Sequence, residues 1–120
     1  MLDGTQTTSA TEDTTTSGLD DSQTATNDGN VTEDFNISGQ NTANWTLAST
    51  AGDEQYFHKF CVTDCDSSPV WTALTTSYQT LATGIGESSN QVFDLQIGTP
   101  SSTVNFTQQS VDVTVQAVEN

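Results

Sequence analysis

The sequence contains no arginine and a single lysine, Lys59, against sixteen carboxylates, which leaves a formal net charge of −15. That imbalance excludes nucleic acid as a partner, because a phosphate backbone is held by clusters of Lys and Arg. It excludes docking onto anionic lipid head groups for the same reason. Internal ion pairs are almost out of reach, so the acids must be spread apart, screened by salt or neutralised by bound cations. High-salt or calcium-rich surroundings suit such a chain.

Histidine is equally scarce, His58 being the only one. A Ser-His-Asp or Cys-His site would have to use it, and no Gly-framed serine of the nucleophile-elbow type is present. Tyr56 and Phe60 share its face in a strand pattern, which reads as a satisfied structural histidine. Carboxylate pairs are common in so acidic a chain and carry no glycosidase signal. The chain is therefore read as no enzyme. No apolar run approaches the roughly 20 residues of a transmembrane helix, so no membrane insertion is expected. Met1-Leu2-Asp3 has neither the basic start nor the apolar run of a signal peptide; the sequence reads as one whose signal was removed, or as an excised piece.

Only two cysteines occur, in Cys61-Val62-Thr63-Asp64-Cys65. Without a second pair the spacing is not that of a zinc ribbon, and His58 adds at most a third soft ligand. A disulfide closing a loop tip is expected in a chain of otherwise secreted character. Four sequons support an extracellular or cell-surface location: Asn30, Asn36, Asn44 and Asn105 each stand two residues before Thr or Ser.

What is present favours strands. At 120 residues the chain has the size of one domain, and its apolar residues are mostly β-branched or aromatic and scattered singly. Residues 1–22 form a Thr/Ser-rich acidic arm with few large apolar side chains, a composition of tails. Its threonines would still suit an edge or donor strand. From residue 23 to 120 a sandwich domain is expected.

Asp28-Gly29 between two extended runs signals a hairpin. Val31, Phe35 and Ile37 then share one face; Tyr56, His58, Phe60 and Val62 alternate with Phe57, Lys59 and Cys61. Val70–Leu74 and Tyr78–Leu81 read as short strands. Phe93, Leu95 and Ile97 alternate with Asp94 and Gln96, and Val111, Val113, Val115 and Ala117 with Asp112, Thr114 and Gln116, each giving one core face and one wet face. About seven or more short strands with turn signals at this spacing predict an all-β, antiparallel sandwich.

The segments Thr26-Asn27-Asp28-Gly29-Asn30-Val31, Asn44-Trp45-Thr46-Leu47 and Gln109 to Val115 resemble immunoglobulin-like β-sandwich modules of secreted bacterial and archaeal surface proteins, including secreted fibre subunits. The resemblance spans about residues 20 to 118 and rests on turn and strand patterns. It implies an immunoglobulin-like fold and a surface location, and it transfers no catalytic residue.

For a cofactor, calcium fits the abundance of hard oxygen ligands. The candidate clusters are Asp20 with Asp21, Asp53 with Glu54, and Asp64 with Asp66, none in EF-hand spacing. Trp45, Trp71 and Tyr78 are candidate stacking platforms for a sugar. The expected function is an extracellular structural or assembly module of a surface protein or pilus-like fibre that joins by β-strand addition. Its partners are then further copies in a homo-polymer or neighbouring domains. The alternatives are a carbohydrate-binding or adhesive domain and a non-catalytic accessory domain of a secreted enzyme.

Overall fold

The computed structural model describes residues 9–11, 22–65 and 67–120, with the backbone alone for 9–11. Nine strands form among them: β1 (Ser9–Thr11), β2 (Gln23–Thr26), β3 (Glu33–Ser38), β4 (Thr46–Ala48), β5 (Gln55–Cys61), β6 (Thr72–Ala73), β7 (Gln79–Ile85), β8 (Asn90–Gly98) and β9 (Thr114–Glu119). They make an all-β sandwich of two sheets. In the larger, β8 and β5 are central, with β1 and β2 on β8 and β4 and β6 on β5; the smaller has the order β7-β3-β9.

Alternation builds the core. Phe35 and Ile37 of β3, Phe60 of β5, Leu81 of β7 and Phe93 of β8 meet with Leu74 between the sheets, and Leu47, Leu95 and Val115 pack against them. Val31, expected beside Phe35, lies before β3 and is exposed. Val62 is likewise exposed beyond the end of β5. The closing strand starts only at Thr114, so Val111 and Val113 precede it, and Ala117 is exposed.

The Asp28-Gly29 segment does not close a hairpin between its flanking strands. β2 pairs with β8 and β3 with β7 and β9, so the segment carries the chain from one sheet to the other. Asn27 decides this. Its side chain is 1% exposed, donates to Val31 O and Ile85 O and accepts from Gly29 N. Its backbone N–H donates to Ser89 O, and its carbonyl accepts from Ser88 N. Five hydrogen bonds on one residue outweigh the local hairpin preference, since each buried polar group left unmatched would cost about 1–3 kcal/mol.

The smaller sheet is built on the β3–β7 and β3–β9 pairings and the larger on β5–β8. The last strand, β9, lies beside β3, and the first strands lie beside β8. β4 and β5 are parallel although only residues 49–54 join them. A three-residue strand spans only about 10 Å, so this short return suffices, pinned by Thr46 N donating to Glu54 O at 2.9 Å.

Of the arm, Ser9–Thr11 pairs antiparallel with Gln96–Gly98 of the same chain. Within the described residues the arm thus supplies an edge strand to its own sheet.

Candidate functional site

The two ends of the long β5–β8 ladder carry most of the candidate residues. At the β5 start, Glu54 adopts φ 55° and its carboxylate accepts from Val104 N at 2.6 Å, Asn105 Nδ2 at 2.8 Å and Thr103 Oγ1 at 3.0 Å. The backbone bond from Val104 and the side-chain bond from Asn105 hold its pKa below the ordinary value. Asp53 accepts from Ser102 Oγ at 2.7 Å. Both acids therefore fasten the long β8–β9 connection, and their oxygens face hydrogen-bond donors instead of converging on a cation.

The same loop is held from the other side by Gln109, which accepts from Thr42 Oγ1 and donates to Asn44 Oδ1. So anchored, it exposes Val104 and Phe106, 83% and 63% accessible.

Trp45 packs under this loop. It is 5% exposed, donates Nε1 to Thr103 Oγ1 at 3.2 Å and lies 6.4 Å from the Tyr56 ring. That corrects the expectation of a sugar platform at Trp45, because a buried indole offers no face to a ligand. Trp71 is half-buried and Tyr78 exposed, on the β6 side of the molecule.

Tyr56 donates its hydroxyl to Gln40 O, and burial raises its pKa from 10.0 to about 12. His58 follows on the same face, its ring 6.4 Å from that of Tyr56. It is buried, yet Nδ1 has no hydrogen-bond partner, so the expectation of a satisfied histidine is corrected. Burial lowers its pKa to about 4, which keeps the imidazole neutral at ordinary pH. Lys59 points to the opposite face and caps the Phe57 ring, Nζ 4.7 Å from its centroid, a cation–π contact in place of a carboxylate partner.

At the other end, Cys61 and Cys65 are bonded as a disulfide. The short ring folds its loop back over the outer face of the sheet, with Asp64 at φ 52° accepting from Ser67 N and Ser68 N. Beneath it lies Asp94, register partner of Cys61. Asp94 was expected on a wet face, but the loop and Ser22 cover it to 3% exposure. Sequence periodicity assigned the face correctly; only the roof, built by residues distant along the chain, changed its environment.

Among the described residues no group of three or more His, Cys, Asp or Glu side chains is arranged to hold a metal ion. Asp20, Asp21 and Asp66 lie outside the described residues. The sequons differ in setting: Asn30 and Asn44 are exposed, Asn36 sits within β3, and Asn105 gives its amide to Glu54.

A third candidate is the outer edge of β9, which pairs with β3 alone among the described strands. Its register with β3 is continuous from Glu33 opposite Glu119 to Ser38 opposite Thr114. On the other flank, β7 pairs with β3 through two register shifts and carries Gly84 at φ 67°. Asp34 accepts from Gly84 N and Asn120 Nδ2, clipping both outer strands to the centre.

Comparison with known proteins adds no relative: no family model, curated protein or solved structure matches the chain.

Proposed function

We propose that this chain is an extracellular structural module of a surface protein or fibre, without chemistry of its own, that joins its neighbours by β-strand addition. The partner is a further copy or an adjacent domain, and an immunoglobulin-like surface module is the family type it resembles.

The outer edge of β9 carries this reading. Asn120 N donates to Thr32 O, and hydrogen-bonded pairs alternate along an antiparallel ladder. Thr114, Gln116 and Val118 therefore bond to β3, while Val115, Ala117 and Glu119 turn their backbone N–H and C=O outward. Natural edges are guarded by proline, lysine or bulges. β7 has the bulges, whereas β9 has none of these guards. Assembly then requires salt, because fifteen net negative charges per subunit must be screened before two copies approach.

Light scattering across a salt series tests it. Assembly should rise with salt, and Ala117→Pro, which removes one outward N–H and spares the β3 ladder, should abolish assembly at unchanged monomer stability. Gln116→Pro should instead weaken the monomer. A wild type that stays monomeric at every salt and protein concentration, or an Ala117→Pro protein that assembles normally, rejects the reading.

A further inference from the structure

Between the disulfide loop and the start of β8 opens a cavity of about 330 Å³, whose walls include Ser22, Val62, Asp64, Val92, Phe93 and Asp94. Asp94 is the unusual member. It is 3% exposed, and the bond its carboxylate accepts among the described residues comes from Ser22 Oγ at 2.7 Å.

A carboxylate removed from water needs a counter-charge or a full set of donors. The chain has one cationic side chain, Lys59, and its Nζ is engaged on the Phe57 ring. Among the described residues no cation faces Asp94, and the cavity beside it leaves room for one from outside. The cavity's other features narrow what supplies it. Val62 and Val92 give apolar walls suited to a hydrocarbon stem, and the volume exceeds what a bare ion fills. Val62 and Val92, 39% and 44% exposed, extend the apolar rim outward, which gives a polypeptide contact that a free amine lacks.

We propose that this cavity receives a Lys or Arg side chain of a partner protein, its ammonium or guanidinium group meeting Asp94, with Asp64 at the rim, and its aliphatic stem lying along Val62 and Val92. This goes beyond the structural reading and does not depend on strand addition at β9, which lies in the other sheet.

The test is a titration of backbone amide resonances at constant ionic strength, with three probes: a capped tripeptide containing one lysine, n-butylammonium and calcium chloride. The peptide should shift the amides of Cys65, Ser67 and Asp94 saturably and bind more tightly than the free amine. Asp94→Asn should weaken it by more than about tenfold, as expected when one partner of a buried charge pair is removed. Glu119→Gln, which removes the same formal charge from exposed β9, should leave binding unchanged. Val92→Lys places a cation at the cavity from an exposed position and should abolish peptide binding, which keeps the test decisive even if Asp94→Asn fails to fold. No saturable shift, or an equal loss in Glu119→Gln, overturns the site. Shifts with calcium and none with either amine would make it a metal site instead, and equal binding of amine and peptide would overturn the assignment to a partner's side chain.

Discussion

The two ends of the β5–β8 ladder hold carboxylates in opposite ways. At one end Glu54 stands at the surface with donors around it, and the aromatic group Trp45, Tyr56 and His58 packs beneath the loop it fastens. At the other, Asp94 is buried with one side-chain donor among the described residues, and a covalent ring makes the roof. The first end is organised by hydrogen bonds and protonation states, the second by a disulfide. Acid should loosen the one and reductant the other.

The largest single effect is expected outside both ends, at the crossover between the sheets that Asn27 holds. Asn27→Ala leaves Val31 O and Ile85 O without their donor and opens a small void, and it should destabilise by about 3–4 kcal/mol. Urea unfolding measures it; a loss below about 1 kcal/mol would mean that the crossover between sheets is held by something other than Asn27.

Next is the pH response of the first end. Because His58 is lowered from 6.5 to about 4, the unfolded chain takes up its proton at higher pH than the folded one. Stability from this residue is complete above about pH 6.5, falls as the pH drops, and levels off below about 4, a total on the order of 3 kcal/mol. The lowered carboxyls of Glu54 and Asp34 add losses in the same direction only at the lower end of that window. His58→Phe should remove the slope between pH 6.5 and 4.5 and, by eliminating the orphaned Nδ1, raise stability at pH 7. A slope that survives the substitution would move the acid sensitivity elsewhere.

Reduction should cost about 2 kcal/mol, the chain-entropy value for so short a ring, and should unroof Asp94. Hydrogen exchange is expected to quicken around Asp94 and Ser67 while Val104 stays protected. Equal quickening at both ends would break the contrast.

Gly98→Ala acts at the first end, in the terminal pair of the ladder. A Cβ there would lie 2.1 Å from Phe57 Cε2, so the ring must swing away and Lys59 loses its seat; about 1–2 kcal/mol is expected. The smallest effect belongs to Glu54→Gln, which should speed exchange of the Val104 amide with little change in the global midpoint. In a glycosylating host, Asn30 and Asn44 should be modified in preference to Asn105, whose amide is already committed to Glu54; intact-mass and peptide mapping would show it.

Strand positions were legible wherever one face alternated cleanly. Phe35 and Ile37, Tyr56, His58 and Phe60, and Phe93 all fell on core faces, since a period of two has only one solution against a half-buried sheet. The hairpin at Asp28-Gly29 was not legible, because the local signal describes the turn alone and the partners of Asn27, Ile85 and Ser89, lie far along the chain. Trp45 and Asp94 failed for a related reason: their burial depends on covers supplied by residues 103 and 61–65 folding back over them.

By itself, then, the sequence determined an acidic all-β chain, most of its core faces and its disulfide, because these follow from composition and local patterns. Tertiary structure alone decided which strands pair, which outer strand of the smaller sheet keeps a continuous register, and which acids fasten a loop and which lies buried beneath one. Those properties arise from contacts between residues tens of positions apart, and no local pattern encodes them.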